Sequence, residues 1–122
     1  MLSGMTDLDR VLDPEDQKLV TLARSARARN GVAEGAAVRD ETGRTYVAGT
    51  VALPSLALSA VQTAVAMAVA SGAKGLEAAV VVTAEQAAAE PDLAAVRDLG
   101  GAGTPLLLAG PDGVLRARVE VS

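Results

Sequence analysis

The sequence predicts an α/β fold in which a mixed sheet of five strands carries helices on both faces. Runs with helical spacing alternate with extended runs along the chain, as they do in sandwiches of helices and a sheet. Two extended runs, residues 76–83 and 104–109, are apolar almost throughout, which is typical of strands covered on both faces. The predicted order is therefore helix, two strands, helix, strand, helix and two strands.

The first helix has local signals at both ends. Asp13 can cap its first turn, Pro14 suits the first helical position, and Gly31 can end it. Residues 1–12 show no periodicity and are expected to form an N-terminal arm. Residues 13–122 are then expected to form a single domain.

The middle of the chain is expected to contain a hairpin followed by a buried helix. Residues 33–39 and 44–51 are extended runs, and the short link between them ends in Gly43, which predicts an antiparallel hairpin. A long apolar run follows. We expect the central helix of the fold to run from Ser55 to Ser71.

The last third of the chain supplies a helix and two strands. Pro91 suits the first turn of a helix over residues 90–99, and several glycines follow that segment. Residues 104–109 are expected to form a buried strand. Residues 114–121 alternate between apolar and charged side chains, which predicts a strand with one face in water.

The composition argues against several classes of function. Half of the 122 residues are hydrophobic and 21% are charged, which is typical of a soluble globular protein. A net charge of −4 and a single aromatic residue, Tyr46, leave neither a basic stripe nor a stacking platform for nucleic acid. Polar residues interrupt the longest apolar stretch, so no membrane span is expected. The N-terminus lacks the pattern of a signal peptide, so a cytoplasmic location is expected.

Two further expectations follow from the residue types that are rare or missing. A core of alanine, valine and leucine buries little area per residue, so subunit association is expected to supplement it. The chain contains no cysteine and no histidine. Disulfides and the ordinary nitrogen and sulfur ligands of zinc, copper or iron are therefore excluded.

Three short segments resemble the cytidine deaminase family. They are GAAV at residues 35–38, SAVQTA at residues 59–64 and TPLLLAGPDG at residues 104–113. The segments occur in the family's order, and the resemblance extends from about residue 16 to residue 115. It implies the three-layer sandwich of a cytidine deaminase-like fold.

The resemblance also implies what has happened to the metal site. In that family a zinc ion held by cysteine or histidine ligands activates water, and a glutamate shuttles protons. The resemblance places Ser59, Asp92 and Ala95 at the three ligand positions. It places Val61 at the glutamate and Gln62 at an arginine that supports the site. Because these residues cannot form a soft-ligand zinc site and valine cannot accept a proton, we expect no metal, no cofactor and no catalytic residue.

The sugar-binding positions are altered as well. The resemblance places Thr50 and Ala52 where the family has the asparagine and glutamate that bind ribose, so tight nucleoside binding is not expected. Together these positions are expected to form a vestigial pocket. Its seven residues are Thr50, Ala52, Ser59, Val61, Gln62, Asp92 and Ala95.

A new active site at the same location is disfavoured. The chain has no histidine, and no lysine or carboxylate lies at a diagnostic spacing from Ser59. Asp92 is explained as an acidic residue in the first turn of a helix. Ser59 and Thr63 are four residues apart and are expected to donate hydrogen bonds to helix carbonyls.

Three hypotheses about function follow. The first is a catalytically inactive protein, not an enzyme, that is kept for assembly as a homodimer or homotetramer. Its subunits would pack through the helix at residues 55–71, around which subunits meet in the family that the chain resembles. The second is a residual binding module for a nucleoside-like small molecule, using Thr50, Ser59, Gln62 and Asp92. The third is a metal-independent hydrolase of an unrecognised type.

Overall fold

The computed structural model describes residues 12–122, so the expected arm at residues 1–12 lies almost entirely outside the described residues and stays a prediction. Three helices and seven strands follow one another within residues 12–122. They are α1 (Pro14–Asn30), β1 (Gly35–Asp40), β2 (Thr45–Gly49), β3 (Val51–Leu53), β4 (Leu56–Leu58), α2 (Ala60–Ala70), β5 (Leu76–Val82), α3 (Glu90–Gly100), β6 (Pro105–Ala109) and β7 (Leu115–Glu120).

Five of the strands form one mixed sheet in the order β2-β1-β5-β6-β7. The central pair, β5 and β6, is parallel, with Val81 opposite Leu108. The other three pairs are antiparallel. Because β1 runs antiparallel to both of its neighbours, its first residue, Gly35, lies beside the last residues of β2 and β5, Gly49 and Val82. The predicted five-stranded mixed sheet is confirmed.

The sheet is covered on both faces, as predicted. Alternate residues of β5 point to opposite faces, so Val80 packs in a cluster with Leu19 of α1, while Val81 packs in a second cluster with Val61 of α2 and Val96 of α3. The result is a three-layer α/β sandwich with α1 on one side and α2 and α3 on the other.

Small residues let α1 lie very close to β1. Gly35 is buried, and a Cβ atom at this position would clash with the carbonyl oxygen of Ala23 and lie 2.8 Å from the backbone nitrogen of Arg27. Ala23 itself is fully buried. The glycine is therefore required by the approach of the helix to the sheet rather than by a turn.

The ends of α1 match their sequence signals. The Asp13 side chain accepts a hydrogen bond of 2.9 Å from the backbone nitrogen of Asp16, which satisfies one free donor of the first turn. Gly31 ends the helix with φ of 64°, in the left-handed region that glycine adopts without strain.

The predicted central helix from Ser55 to Ser71 is partly wrong. Helix α2 begins at Ala60, and the preceding residues form a separate two-stranded hairpin of β3 and β4. The predicted strand over residues 44–51 also ends earlier, at Gly49. Pro54 and Ser55 form the turn of the β3–β4 hairpin, and Ser59 caps α2, so the apolar run is divided by local backbone requirements.

Helix α2 is buried on one side only within the single chain. Ala60, Val61, Ala64, Val65 and Ala68 are buried against the sheet. Met67 and Val69 lie outside this buried face and are exposed. Among residues 12–122 no helix combines the length and the apolar character needed to cross a membrane.

Candidate functional site

A cleft with a volume of about 540 Å³ opens at the end of the sheet where β1 begins and β2 and β5 end. We name it the Ser59 cleft. Its wall is made by the last turn of α1, the segment before β1, the start of β3, the junction of β4 with α2, and the segment after β5. The antiparallel pairing of β1 with both neighbours brings these loops together.

Ser59 lies where the N-terminus of α2 meets the cleft. Its Oγ accepts a hydrogen bond of 3.0 Å from the backbone nitrogen of Gln62, and the Gln62 side chain accepts one of 2.9 Å from the backbone nitrogen of Ser59. This reciprocal capping box fixes the first turn of the helix. The expected hydrogen bond from Ser59 to a helix carbonyl required Ser59 to lie within the helix. Ser59 is instead the N-terminal cap of α2, so this expectation is wrong. Thr63 does donate to the carbonyl oxygen of Ser59, at 2.9 Å, as expected.

Asp92 lies directly behind Ser59. The Ser59 hydroxyl donates to the carboxylate of Asp92, with an oxygen–oxygen distance of 2.5 Å. Asp92 is in the first turn of α3 and is only 2% exposed. Burial raises the pKa of the Asp92 carboxyl, and the hydrogen bond from Ser59 offsets part of that effect. The pair joins the N-terminal ends of α2 and α3.

A second hydroxyl in the cleft is held by the loop before β1. The Oγ1 of Thr50 accepts from the backbone nitrogen of Glu34 at 3.1 Å and lies 3.4 Å from the Glu34 carbonyl oxygen, to which it donates. The backbone nitrogen of Thr50 donates to the same carbonyl at 3.2 Å. Thr50 is therefore fixed with respect to Glu34.

Charged groups also line the cleft. Arg27 donates from Nε to the carbonyl oxygen of Ala33 at 3.0 Å. The carboxylates of Glu34 and Glu85 make no hydrogen bond or ion pair with the described part of the chain. At the end of β5, Thr83 accepts from the backbone nitrogen of Glu85 at 3.1 Å. The cleft thus offers carboxylates, hydroxyls and one guanidinium.

The structure separates the seven positions of the expected vestigial pocket into three groups. Thr50, Ala52 and Ser59 line the cleft. Asp92 and Gln62 support Ser59 through hydrogen bonds.

The remaining two positions lie in the core. Val61 is fully buried, and Ala95 is partly buried against the same core cluster, which α2, α3 and the sheet build together. A role of Val61 or Ala95 in ligand contact stays a prediction.

Several residues of the cleft were not singled out from the sequence. Glu34, Thr83 and Glu85 come from loops on either side of strands, and Arg27 comes from a helix end. One signal was available for Thr83 and Glu85, because polar side chains that directly follow a buried strand often line a site. Glu34 carried no such signal.

The residues at the resembled zinc positions do not fit a zinc ion. Structural and catalytic zinc sites use cysteine and histidine, with carboxylates as supplementary ligands. The chain has no cysteine or histidine, and the described residues contain no group of three or more side chains of the metal-binding types. Ala95 has no donor atom, and one carboxylate oxygen of Asp92 is already bonded to Ser59.

The fold and the cleft define an α/β protein of the cytidine deaminase type. The family model described as "Cytidine deaminase-like" matches residues 12–113. Since this is most of the chain, the protein belongs to the cytidine deaminase-like family. A comparison with curated protein sequences found no match.

Solved cytidine deaminases have a similar fold. The enzyme from Burkholderia pseudomallei has a TM-score of 0.75 and 22% identity over 85% of this chain and 91% of its own. The enzyme from Mycobacterium leprae has a TM-score of 0.70 and 22% identity over 89% of this chain and 95% of its own. The enzyme from Mycobacterium tuberculosis has a TM-score of 0.65 and 23% identity over 85% of this chain and 90% of its own.

These comparisons correct one prediction. The loss of the zinc ligands predicted that the chain is not an enzyme, and this prediction is wrong. The chain belongs to the cytidine deaminase-like family, and the three solved structures described above are named as cytidine deaminases, which are enzymes. The substituted residues exclude one way of activating water, and they do not show that the protein is inactive.

Proposed function

We propose that the chain binds a polar molecule of nucleoside size in the Ser59 cleft and acts on it with its own carboxylate and hydroxyl groups. The observation that carries the proposal is the position of Thr50, Ala52 and Ser59. These three residues line one cleft, at the positions that the resemblance assigns to sugar and metal contacts in cytidine deaminases. A volume of about 540 Å³ lies within the usual range of small-molecule sites, roughly 300–1,000 Å³.

The polar groups of the cleft support a reaction without a zinc ion. Glu34 is half-buried, and its carboxylate has no partner among the described residues, so it is available as a general base. Arg27 supplies a positive charge in the same cleft. This arrangement supports a metal-independent hydrolysis of the bound molecule. Glu34 takes a proton from water, the water oxygen bonds to the attacked carbon, and the bond from that carbon to the leaving group breaks as the leaving group takes up the proton.

Binding is tested by thermal shift with cytidine, uridine, adenosine and guanosine. We expect the melting temperature to rise with the concentration of at least one nucleoside. Thr50→Val removes a hydroxyl from the cleft and is expected to raise the dissociation constant about 5- to 10-fold, the usual effect of one hydrogen bond. Thr45→Val makes the same change at an exposed position of β2 outside the cleft and is expected to leave binding unchanged.

Two outcomes would contradict the proposal. No stabilisation by any of the four nucleosides at about 10 mM would exclude binding of useful strength. For the chemical step, the nucleoside that stabilises the protein is incubated with chelator-treated protein, and its mass is followed. Turnover that survives chelation is expected, whereas no turnover, or turnover only after a metal is added, would contradict it.

We also propose that the chain self-associates. Large apolar side chains are exposed in the hairpin that precedes α2 and along α2 itself. Leu53 and Leu56 of the β3–β4 hairpin are 59% and 51% exposed, and Val69 of α2 is 54% exposed. Such side chains are typical of surfaces that are covered by another subunit.

Light scattering coupled to gel filtration tests this association. We expect the mass of a dimer or a tetramer, and a shift toward the monomer when Leu53 and Leu56 are both replaced by glutamine. Replacing the exposed residues Thr21 and Ser25 of α1 by alanine is the matched control on another face, and it should not change the mass. A monomeric wild-type protein would contradict self-association.

A further inference from the structure

The hydroxyl groups of the Ser59 cleft differ in whether they can still donate or accept a hydrogen bond to a ligand. A serine or threonine hydroxyl has one hydrogen to donate and two lone pairs that accept. Ser59 uses its hydrogen on Asp92 and one lone pair on the backbone nitrogen of Gln62. Ser59 can therefore accept one hydrogen bond from a ligand, and it cannot donate one.

Thr50 is restricted in a similar but weaker way, because its donor contact is 3.4 Å long. Its Oγ1 accepts from the backbone nitrogen of Glu34 and donates to the Glu34 carbonyl oxygen. The Oγ1 of Thr50 therefore also keeps one lone pair that can accept a hydrogen bond from a ligand. Thr83 differs, because it accepts from Glu85 and no group in the described residues accepts its hydrogen.

The hydroxyls of Ser59 and Thr50 both lie at the open end of the β3–β4 hairpin. Val51 is paired with Leu58 at the open end of the hairpin, and Thr50 and Ser59 are the next residues outward on the two strands. Both line the same cleft. The wall at the base of the hairpin therefore presents the acceptor of Ser59, whose hydrogen is donated to Asp92 at 2.5 Å, and that of Thr50, whose hydrogen makes a longer contact of 3.4 Å with the Glu34 carbonyl oxygen.

Asp92 determines this property of Ser59. An ionised carboxylate accepts hydrogen bonds and cannot donate them, so the Ser59 hydroxyl can satisfy the buried carboxylate only by pointing its hydrogen at it. Asp92 is 2% exposed, and within the described residues the Ser59 hydroxyl is the one group that donates to its carboxylate. A rotation of the hydroxyl toward the cleft would leave a buried charged oxygen without that hydrogen bond, which is costly.

From these contacts we propose that Asp92 is a positioning residue that holds Ser59 as an acceptor. Ser59 and Thr50 then select a ligand edge that presents amine or hydroxyl hydrogens over one that presents a carbonyl oxygen. This rests on the proposed binding of a small polar molecule in the cleft. Beyond that proposed binding, the inference specifies that the ligand presents hydrogen-bond donors to the base of the hairpin.

The test compares ligands that differ by an amine and a carbonyl. Dissociation constants are measured by calorimetry for cytidine against uridine and for adenosine against inosine. In the wild-type protein we expect the amine-bearing member of the pair that binds to be favoured about tenfold, since a carbonyl facing two acceptors leaves them unpaired. Asp92→Asn keeps the shape but can also donate from its amide, so the preference should fall to less than about threefold. Asp98→Asn, at an exposed position of the same helix, should keep the wild-type preference.

The outcomes separate this inference from the proposed function. Binding of both members of a pair with equal affinity by the wild-type protein would overturn the selectivity and leave the proposed function standing. Absence of binding by cytidine, uridine, adenosine, inosine and guanosine would overturn both. An Asp92→Asn variant that folds and keeps the full preference would overturn the role of Asp92.

A measurement on the unliganded protein is independent of any ligand and of the variant's folding. In protein with carbon-13-labelled serine, the hydroxyl proton of Ser59 is expected to exchange slowly with water and to give a resolved signal, because it is held by a buried carboxylate. Rapid exchange of that proton would contradict a hydroxyl held by Asp92, and the proposal would fail.

Discussion

Replacing Val61 with glutamate is expected to lower the free energy of unfolding by about 3 kcal/mol or more at neutral pH, because a carboxylate would replace a fully buried side chain. The resemblance assigns Val61 to the position of the catalytic glutamate of the cytidine deaminase family. In this structure it packs in the core with Val81 of β5 and Val96 of α3. The substitution is therefore expected to destabilise the protein instead of adding a catalytic group to the cleft.

The loss of stability caused by Val61→Glu is expected to depend on pH. Burial raises the pKa of a carboxyl above its value in the unfolded chain, so the folded variant binds its proton more tightly. Its stability relative to wild type should then be best preserved in acid and fall as the pH rises through the raised pKa. Urea unfolding at pH 5 and pH 8 measures the difference. Ala66→Glu, at an exposed position of the same helix, should change stability little at either pH. If Val61→Glu matched wild type at both pH values, Val61 would have to face the cleft.

Replacing Gly35 with alanine is expected to cost about 3 kcal/mol of stability, at the upper end of the usual effect of overpacking. The added Cβ would clash with the backbone of α1 at Ala23 and Arg27, and backbone atoms cannot move aside as the end of a flexible side chain can. Helix α1 must shift. Because Arg27 and the segment before β1 line the Ser59 cleft, the same substitution should also weaken nucleoside binding.

Gly75→Ala is the matched control for Gly35. At Gly75 the nearest atom to an added Cβ is the Cβ of Glu41 at 4.0 Å, an ordinary contact. We expect a change in the free energy of unfolding of less than about 0.5 kcal/mol in urea unfolding. Equal effects of the two substitutions would contradict the clash with α1 as the cause of the cost at Gly35. The lower entropy of the unfolded chain that alanine brings stabilises the protein at both positions, so it cannot account for a cost.

The parts of the fold that the sequence predicted well are those with local causes. The start of α1 depends on Asp13 and Pro14, and its end on Gly31, all within one turn of the helix end that they determine. Strands β5 and β6 are buried on both faces, so nearly every residue in them is apolar and the pattern is visible in a short window.

The β3–β4 hairpin could not be predicted in the same way. Residues 51–58 have the leucine and alanine content of a helix, and the two short strands pair only with each other. Nothing in a helical or alternating pattern distinguishes them from the first turns of α2. The decisive feature is Ser59, whose capping box with Gln62 starts the helix there.

The candidate site was predictable in part, for a related reason. Thr50, Ala52 and Ser59 were identified through the resemblance, and all three line the cleft. The contact between Ser59 and Asp92 joins residues 33 positions apart and depends on how α3 packs against α2. Glu34 reaches the cleft because β1 pairs antiparallel with β2 and β5. Pairing of this kind is a property of the whole sheet and leaves no local signal.

Mapping the binding site by nuclear magnetic resonance tests the account most directly. Backbone amide signals of nitrogen-15-labelled protein are followed during titration with the nucleoside that gives the largest thermal shift. We predict that the largest changes occur at Glu34, Thr50, Ser59 and Thr83, and that they saturate together with one dissociation constant. Changes confined to other surfaces, or no saturable change at all, would contradict the assignment of the Ser59 cleft as the functional site.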